Sequence, residues 1–363
     1  MLPLALLGCW LPAGGFEMPG VRSFIDSVFD RRVANLPNTP YPNEEKLDLC
    51  RKHGDFSLAY STAVQGNLRH YGDDSGYLAY ATKMGHTFVL GDPVAAPIER
   101  RKYIEGFVKA AGRPCFVQIG AQTASVLAGL GYRVNRMGVD TRLTLDTHDF
   151  AGKRNETVRY SERWLIKKGF SIVECDGTKT TQEQIEAVSE DWRSGRIVNR
   201  REMCFLNRPF LSALSPDMRR FLILDPDNRP VAILDFDPLF SNGAVTGYTA
   251  AFKRKFTGTT SHAEIGLTKF AADRFREEGR AVVTLGLSPL AAIGRSGFLE
   301  SGFWRSLFKR AFDSRAVNTH IFNLQGQAAF KRRFHGDEEP MYIAFKRRTP
   351  LEILALLRLL KTL

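Results

Sequence analysis

Hydrophobic residues along this chain follow a period of two in some stretches and helical spacing in others. Two period-two stretches, FSLAYS and GYLAYATKMGHTFVLGDPV, predict antiparallel strands between residues 56 and 94. The amphipathic stretch IERRKYIEGFVKAAG predicts a helix that closes at Gly112. A buried strand (PCFVQI), a helix (QTASVLAGLGY), a strand (VDTRLTLD) and a polar helix (NETVRYSERWLIKKG) complete the first half.

The second half repeats this order of elements. A strand (FSIVEC) and a helix (TQEQIEAVSEDWRSG) precede a hairpin, RFLILDPDNRPVAILDFDPL, which we expect to turn at Asp227 and Asn228. A strand (AVTGYTAAFKR), a helix (HAEIGLTKFAADRFREEG) and a strand (AVVTLGLSPLA) follow. The repetition predicts an α+β protein with two similar lobes and mixed, largely antiparallel sheets flanked by helices.

The same patterns divide the chain into four segments. Residues 1–21 are expected to lie outside the folded core, 22–160 to form the first lobe and 161–347 the second lobe with the active site. Residues 348–363 are expected to form an amphipathic C-terminal helix. The opening MLPLALLGCWLPAGGFE has no Lys or Arg before its apolar run, which makes it a poor secretory signal. Its LLGC resembles a lipoprotein cleavage box, and a start at Met18 explains the segment equally well.

The amino-acid composition indicates the class of binding partner and does not distinguish between folds. The 363 residues carry a net charge of +12, which favours a polyanionic partner: nucleic acid, an anionic membrane or a phosphorylated substrate. No apolar stretch reaches the roughly 20 residues of a membrane-spanning helix. The five cysteines are scattered without CxxC spacing, so we predict no zinc site, no disulfide framework and cytoplasmic thiols.

Four stretches carry a family resemblance. GYLAYATKMGHTFVLGDPVAAP, LAGLGYRVNRMGVDTRLTL, LGLSPLAAIG and NLQGQAAFKRRFHGDEEPMYIAF resemble, in this order, the soluble C-terminal domain of phosphatidylglycerol lysyltransferases, the multiple peptide resistance factor family. The resemblance covers about residues 55 to 345. It implies two tandem acetyltransferase-like (GNAT) lobes, as in Fem-type peptidyl transferases. It also implies transfer of an aminoacyl group from aminoacyl-tRNA to a phospholipid hydroxyl, with no cofactor.

The resemblance also sets expectations about location. The usual member carries many N-terminal membrane helices, including a flippase, so we expect a stand-alone synthase domain on the cytoplasmic face of the membrane. Aminoacyl-tRNA and an anionic phospholipid are the implied partners. The apolar closing helix TPLEILALLRLLKTL has a narrow polar strip of Glu352, Arg358 and Lys361. It either packs on the second lobe or, as we favour, lies in the membrane interface beside Arg347 and Arg348.

One departure from the family pattern concerns the transferred group. Members commonly carry Asp-Leu-Met-Arg on the central strand of the second lobe, where this chain has Ala251, Phe252, Lys253 and Arg254. The Arg position is retained and the Asp position is not. Because Ala cannot supply a carboxylate to a lysyl ammonium, the departure argues against lysine as the transferred group.

Cations are the first candidate site residues. A run such as Lys331-Arg332-Arg333 is more often a solvated helix face, but the resemblance places it at the family's Phe-Lys-x-Lys-Phe segment. We therefore expect Lys331, with Arg332, to contact a phosphate of the tRNA or the lipid. Arg254 is either a surface cation or, as the retained position favours, an anchor for a phosphate or the acceptor oxygen.

Glu264 and His262, in SHAEIG, are the candidate acid–base residues. A Glu at a helix start ordinarily compensates the helix dipole, by about 0.3–1 kcal/mol. The resemblance gives Glu264 a further role, accepting a proton from the attacking hydroxyl or binding the aminoacyl ammonium. His262 is a second candidate base, although a lone His there is more often a cap or surface residue.

Three further residues complete the candidates. Ser288, in LGLSPL, either shapes a turn or lies beside backbone amides that polarise the ester carbonyl, and Tyr248 is grouped with the substrate-binding residues. Asp92, in LGDPV, is explained by an Asp-Pro turn.

Two other functions remain open. The first is an N-acyltransferase that uses acyl-CoA or an acyl carrier protein, which would need a pyrophosphate-binding loop where FTGTTSHAEIG stands and fits poorly. The second is a non-catalytic protein that binds RNA or anionic membrane through its charge, for which loss of the Asp is the best support. The residues do not identify the acceptor or the oligomeric state.

Overall fold

The computed structural model describes residues 35–176, 180–195, 204–215, 217–346 and 350–361. The helices, in chain order α1 to α11, are Asn43–His53, Ala59–Val64, Arg100–Ala111, Ala121–Gly129, Glu156–Lys167, Gln182–Ser194, His262–Glu277, Gly302–Asp313, Arg315–His320, Leu324–Arg332 and Pro350–Leu359. The predicted segment 1–21 lies outside the described residues.

The strands belong to one mixed sheet. They are, from β1 to β12, Arg69–Asp73, Gly76–Lys83, His86–Leu90, Val94–Ala95, Cys115–Ile119, Arg133–Thr144, Ser171–Glu174, Arg219–Leu224, Pro230–Ser241, Ala244–Lys255, Val282–Pro289 and Asp337–Phe345. Their order is β1-β2-β3-β5-β12-β6-β11-β10-β9-β8-β7, with β4 paired to β2. Only β3 with β5 and β10 with β11 pair in parallel among these strands. This confirms the predicted α+β class with a mixed, largely antiparallel sheet.

Strand β12 joins the two halves of the chain. Although it follows the elements of the predicted second lobe, it hydrogen-bonds to β5 and β6 of the first, pairing Ile343 with both Val117 and Asn135. Strand β6 in turn pairs with β11. The division at residue 160 therefore stays a prediction about domains, because the sheet itself runs unbroken across it.

The stretch FSLAYS, predicted as a strand, is a turn followed by helix α2. Every residue from Leu58 to Ala63 is buried, so the period-two pattern does not mark one buried face and one solvent face. The prediction was wrong because the segment packs inside the core on all sides, where alternation carries no information. By contrast, the hairpin predicted at Asp227 and Asn228 is confirmed, with Asn228 at φ +60°.

The C-terminal helix α11 packs on strands β2 and β3 of the first half. Glu352, predicted for the polar strip, is only 3% exposed, and its Oε1 lies 3.8 Å from His86 Nδ1. Glu352 is therefore not part of an exposed polar strip, and the helix covers strands of the first half of the chain. Leu351 and Leu354 remain 57% and 38% exposed.

The basic residues proposed for membrane contact have different positions. Arg358 donates to Met84 Sδ at 3.5 Å, and Lys361 is exposed at the end of the helix. Arg347 and Arg348 lie outside the described residues. Within the described ranges, no helix is long and apolar enough to cross a membrane.

The central strands β10 and β11 separate from one another and open the sheet. They pair only between Gly247–Thr249 and Val282–Thr284. Beyond this point, β11 is irregular between Thr284 and Leu287 where it pairs with β6, and Gly286 within this bulge has φ +74°. The diverging strands leave a cavity in the middle of the sheet.

Candidate active site

The cavity has a volume of about 460 Å³ and lies at the separation of β10 and β11. Both halves of the chain line it: Ser57 and Gln118 come from the first, and most other residues come from the second. Its charged lining residues are Asp237, Lys253, Arg254, Glu264 and Lys331. Three predicted site residues, Arg254, Glu264 and Lys331, therefore meet at one place.

Lys331 enters the cavity from helix α10. Its Nζ donates to the carbonyl oxygens of Gly286 and Leu287, both at 2.7 Å. These carbonyls lie in the β11 bulge. Burial lowers the pKa of Lys331 to about 7, with Asp140 acting in the opposite direction. Near neutral pH the amine is thus poised between its charged and neutral forms.

Glu264 stands between two lysines at the start of helix α7. Its Oε1 lies 3.5 Å from Lys253 Nζ, and its Oε2 lies 3.7 Å from Lys255 Nζ. Lys253 Nζ also lies over the Phe330 ring, 3.2 Å from its centroid. Burial lowers the pKa of Lys253, while the charge of Glu264 raises it. An incoming ammonium would meet two cations at Glu264.

Arg254 is buried rather than exposed at the surface. Its guanidinium lies 3.9 Å from the centroid of Phe210 and 4.9 Å from that of Trp192. Its Nη1 donates to Ser189 Oγ. The aromatic faces stabilise the cation by cation–π attraction, and the side chain borders the cavity.

Buried ion pairs stand behind the cavity wall. Arg208 Nε donates to Asp237 Oδ1 at 2.9 Å, and Arg220 Nε donates to Asp235 Oδ1 at 2.6 Å. Sequence reasoning missed these pairs. The available signal was the alternation of Asp235 and Asp237 inside the apolar strand LDFDPL, since two buried carboxylates require partners.

A second missed group is a row of hydroxyls that ends at a carboxylate. Ser57 Oγ donates to Asp140 Oδ2 and lies 3.1 Å from Thr284 Oγ1. Thr284 Oγ1 lies 2.7 Å from Thr249 Oγ1. Burial raises the pKa of Asp140, while its bond to Ser57 and the charge of Lys331 lower it. No local pattern in the sequence connects Ser57 with Asp140.

Four predicted site residues lie outside the cavity lining. His262 Nδ1 lies 3.0 Å from Ser161 Oγ, and its ring packs against Tyr160 and Trp164. Tyr248 stacks on Phe275 in the core, with ring centroids 4.3 Å apart. Ser288 is buried where β11 pairs with β6, and Arg332 donates to Glu338 at 2.9 Å. These four residues therefore do not line the cavity that Arg254, Glu264 and Lys331 share.

Asp92 has the structural role that the Asp-Pro turn indicates. Its carboxylate accepts from the backbone N of Gly120, at 3.1 and 3.2 Å to its two oxygens. Gly120 is the residue that precedes helix α4. The contact joins two loops of the first half.

Four backbone amides in the loop before α7 and in the first turn of α7 donate to protein acceptors. Thr257 N donates to Asp191 Oδ2 at 2.5 Å, and Thr259 N donates to the Phe256 carbonyl at 3.0 Å. The amides of His262 and Ala263 both donate to Thr260. Lys255 Nζ occupies the carbonyls of Thr259 and Thr260. In the chain as described, no group of His, Cys, Asp or Glu could hold a metal ion.

Comparison with known proteins identifies a family whose model matches most of the chain. The family model of the phosphatidylglycerol lysyltransferase C-terminal region matches residues 48–345. An uncharacterised Corynebacterium glutamicum protein is 22% identical over 315 residues, which are 84% of this chain and 39% of that protein. The phosphatidylglycerol lysyltransferase of Bacillus subtilis is 19% identical over 335 residues, 90% of this chain. The chain therefore spans 39% of the length of the first relative and 37% of the length of the second.

A solved structure has the same fold. The structure of L-PGS from Bacillus licheniformis superposes with a TM-score of 0.72 at 17% identity. The match covers 90% of this chain and 97% of that one. The sequence resemblance and the predicted tandem acyltransferase-like fold are therefore confirmed.

Proposed function

Because the chain belongs to the family of phosphatidylglycerol lysyltransferase C-terminal domains, we propose that it transfers an aminoacyl group to a phospholipid. The donor in this proposal is aminoacyl-tRNA, and the acceptor is a hydroxyl of a lipid such as phosphatidylglycerol. The observation that carries the proposal is the cavity between β10 and β11, where Lys331, Arg254 and Glu264 meet.

Positioning provides most of the catalysis in this proposal. The ester of aminoacyl-tRNA is already activated, so the acceptor hydroxyl attacks it directly, without a covalent enzyme intermediate. Lys331 gives two N–H groups to backbone carbonyls. The third N–H of its ammonium form is left for a phosphate or for the ester carbonyl oxygen.

Arg254 and Glu264 complete the arrangement. Arg254 places a cation on the cavity wall, where it attracts a phosphate or the acceptor oxygen. Glu264 orients the acceptor hydroxyl, since the two lysines beside it disfavour an ammonium group. His262, Tyr248, Ser288 and Arg332 are assigned no contact with substrate, since they do not line the cavity.

The transferred group carries an uncharged side chain in this proposal. The cavity has two lining carboxylates among the residues described, and both are engaged by cations: Asp237 by Arg208 and Glu264 by two lysines. Ala251 lines the cavity where the resemblance places an Asp. A lysyl ammonium would therefore be desolvated without a free carboxylate.

The loop before α7 disfavours the acyl-CoA alternative. Pyrophosphate binding at a helix start requires free backbone N–H groups. Here four amides of the loop and of the first turn of the helix donate to protein acceptors, one of them the Asp191 carboxylate. An anion at this loop would break these bonds and approach a negative charge.

Membrane contact belongs to the same proposal. The exposed Leu351 and Leu354 on α11 would enter the headgroup region, and the excess of basic residues would favour anionic lipid. A Leu354→Ser variant should release more protein from phosphatidylglycerol vesicles in flotation than the wild type does. Equal flotation of the two proteins would remove α11 from the interface.

The test of the function is a comparison of lipid extracts. The whole chain is expressed in a host that makes no aminoacylated lipid, beside Lys331→Ala and the matched control Arg332→Ala. We expect a new lipid whose mass shows an uncharged aminoacyl group, lost in Lys331→Ala and kept in Arg332→Ala. Arg332 is suited as the control because it neighbours Lys331, faces away from the cavity and is exposed.

Two results would contradict the proposal in different ways. A lysylated lipid would retain the transferase and overturn the assignment of an uncharged group. Folded protein with no new lipid, but with acylation of an amine from acyl-CoA in vitro, would replace aminoacyl transfer by N-acylation.

A further inference from the structure

The turn between α1 and α2 holds Ser57 in place from both halves of the chain. Phe240 N of β9 donates to the Gly54 carbonyl at 2.8 Å. Arg100 Nη2 of α3 donates to Asp55 Oδ1 at 2.5 Å. Phe56 packs on Gly91, where an added Cβ would lie 2.9 Å from the ring. A turn with three such attachments directs the side chain of Ser57 to one position.

That position is the cavity wall beside a buried carboxylate. Ser57 lines the cavity, and its Oγ donates to Asp140 Oδ2. Asp140 is 4% exposed, and its Oδ1 has no hydrogen-bond partner within the described chain. A buried carboxylate with an unbonded oxygen destabilises the fold, and such a group in a native structure calls for an explanation, of which a catalytic role is one.

We propose that Ser57 and Asp140 together accept the proton of the attacking lipid hydroxyl. The proposal rests on the aminoacyl transfer proposed above and adds its proton acceptor. Ser57 contacts the acceptor hydroxyl from the cavity wall, while Asp140 acts through Ser57 and does not reach the cavity itself. Thr284 and Thr249 continue the row of hydroxyls and keep Ser57 oriented.

The step balances without any further reactant. The acceptor oxygen bonds to the ester carbonyl carbon, and the bond from that carbon to the ribose oxygen breaks. The acceptor proton moves to Ser57 Oγ as the proton of Ser57 moves to the Asp140 carboxylate. The ribose oxygen then takes the proton from Ser57 Oγ as the proton on Asp140 returns to Ser57, so the pair ends the step in the state in which it began.

The charges around Asp140 suit this exchange. Lys331 on α10 and Arg142 on β6 favour its ionised form, whereas burial and Glu339 on β12 favour the protonated form. Burial is the largest of these effects and raises the pKa of the Asp140 carboxyl group. A carboxylate whose pKa is raised takes up the proton from Ser57 at a smaller free-energy cost than an ordinary carboxylate does.

The kinetic test uses Ser57→Ala, Ser57→Thr and Asp140→Asn, with phosphatidylglycerol vesicles and bulk tRNA charged with radiolabelled amino acids. General base catalysis contributes about 10²–10⁴-fold. We expect kcat to fall at least 100-fold in Ser57→Ala and Asp140→Asn, with KM for the lipid within about threefold. Ser57→Thr, which keeps a hydroxyl, should recover part of kcat. Ser296→Ala, a buried serine bonded within its own loop, is the matched control.

A spectroscopic measurement separates this inference from the proposed function. Difference infrared spectroscopy of the whole protein should show a buried carboxyl C=O band that titrates above the usual pH of an Asp. The band should be absent in Asp140→Asn and shifted in Ser57→Ala. If the wild type transfers no aminoacyl group, the proposed function is wrong. The infrared band would still show whether Ser57 and Asp140 take up a proton. An unchanged kcat in Ser57→Ala, or the absence of this carboxyl band, would contradict the proposed role of Ser57 and Asp140 as proton acceptor.

Discussion

At the scale of single residues, Lys331 shows how burial changes chemistry. In the sequence it is one of three adjacent cations, and its neighbours Arg332 and Arg333 are exposed. The helix directs Lys331 alone into the cavity, where two backbone carbonyls hold its amine. Partial loss of hydration lowers the pKa of an ammonium group. Burying the charged amine of Lys331 therefore reduces the stability of the folded protein.

Replacing Lys331 by Met should therefore stabilise the protein while abolishing transfer. Its pKa is about 7 when folded and near 10.5 when unfolded, so the unfolded chain binds more protons between these values. Wild-type stability then rises with pH across that window. The rise in Tm of the variant should be about 2 °C or more near pH 7, and smaller as the pH approaches about 10.

Calorimetry or dye-monitored melting at about pH 6, 8 and 10 would measure the difference between the two proteins. Other groups titrate in both proteins, so the pH dependence of the difference isolates Lys331. A Tm difference between the two proteins that does not change with pH would show that burial of the Lys331 ammonium does not destabilise the folded protein.

At the scale of elements, the bulge in β11 makes the cavity. It separates β11 from β10 and presents the Gly286 and Leu287 carbonyls to Lys331. Gly286 has φ +74°, a conformation that residues with a Cβ adopt only with strain. A Cβ at Gly286 would lie 3.4 Å from the Ala250 carbonyl oxygen and 3.9 Å from Lys331 Nζ.

Gly286→Ala should impair activity more than its effect on stability explains. Gly279 offers a matched control, because it has φ +73° and nothing within 4 Å of an added Cβ. Both variants should lose about 1–2 kcal/mol of stability from backbone strain. Only Gly286→Ala should lower lipid product per folded protein, by roughly tenfold or more. Equal activity in the two variants would show that the bulge geometry does not matter to catalysis.

At the scale of the whole molecule, strand β12 makes the two halves depend on one another. It fills the gap between β5 and β6, and its residues Tyr342 and Ala344 complete the core cluster that contains Phe116 and Val134. Removing β12 would leave two strand edges unpaired in the middle of a sheet.

A fragment of residues 35–168 should consequently fail to fold. We expect no cooperative thermal transition by circular dichroism, or recovery only as aggregate. Appending residues 335–346 through a flexible linker should restore a cooperative transition, since it returns β12 to its place. A cooperative melt of the fragment without β12 would show that the first half is an independent domain.

The separation of the strands and the direction of side chains together explain which site predictions succeeded. On β10, Tyr248 stacks on Phe275 in the core, whereas every residue from Thr249 to Arg254 lines the cavity. On β11, Leu287 and Pro289 line the cavity while Ser288 does not, because successive residues of a strand point to opposite faces. A family resemblance therefore located the segments, but it did not select between neighbours.

The sequence alone determined the strands and helices that have clear periodicity, the α+β class and the family. It also indicated three of the charged residues at the cavity, because these properties depend on local pattern and on matched motifs. Only the tertiary structure decided that β12 returns to the first half, that α11 covers β2 and β3, and that Ser57 meets Asp140. The last two residues are 83 positions apart, and no local periodicity records such a contact. It arises only when the sheet brings distant strands together.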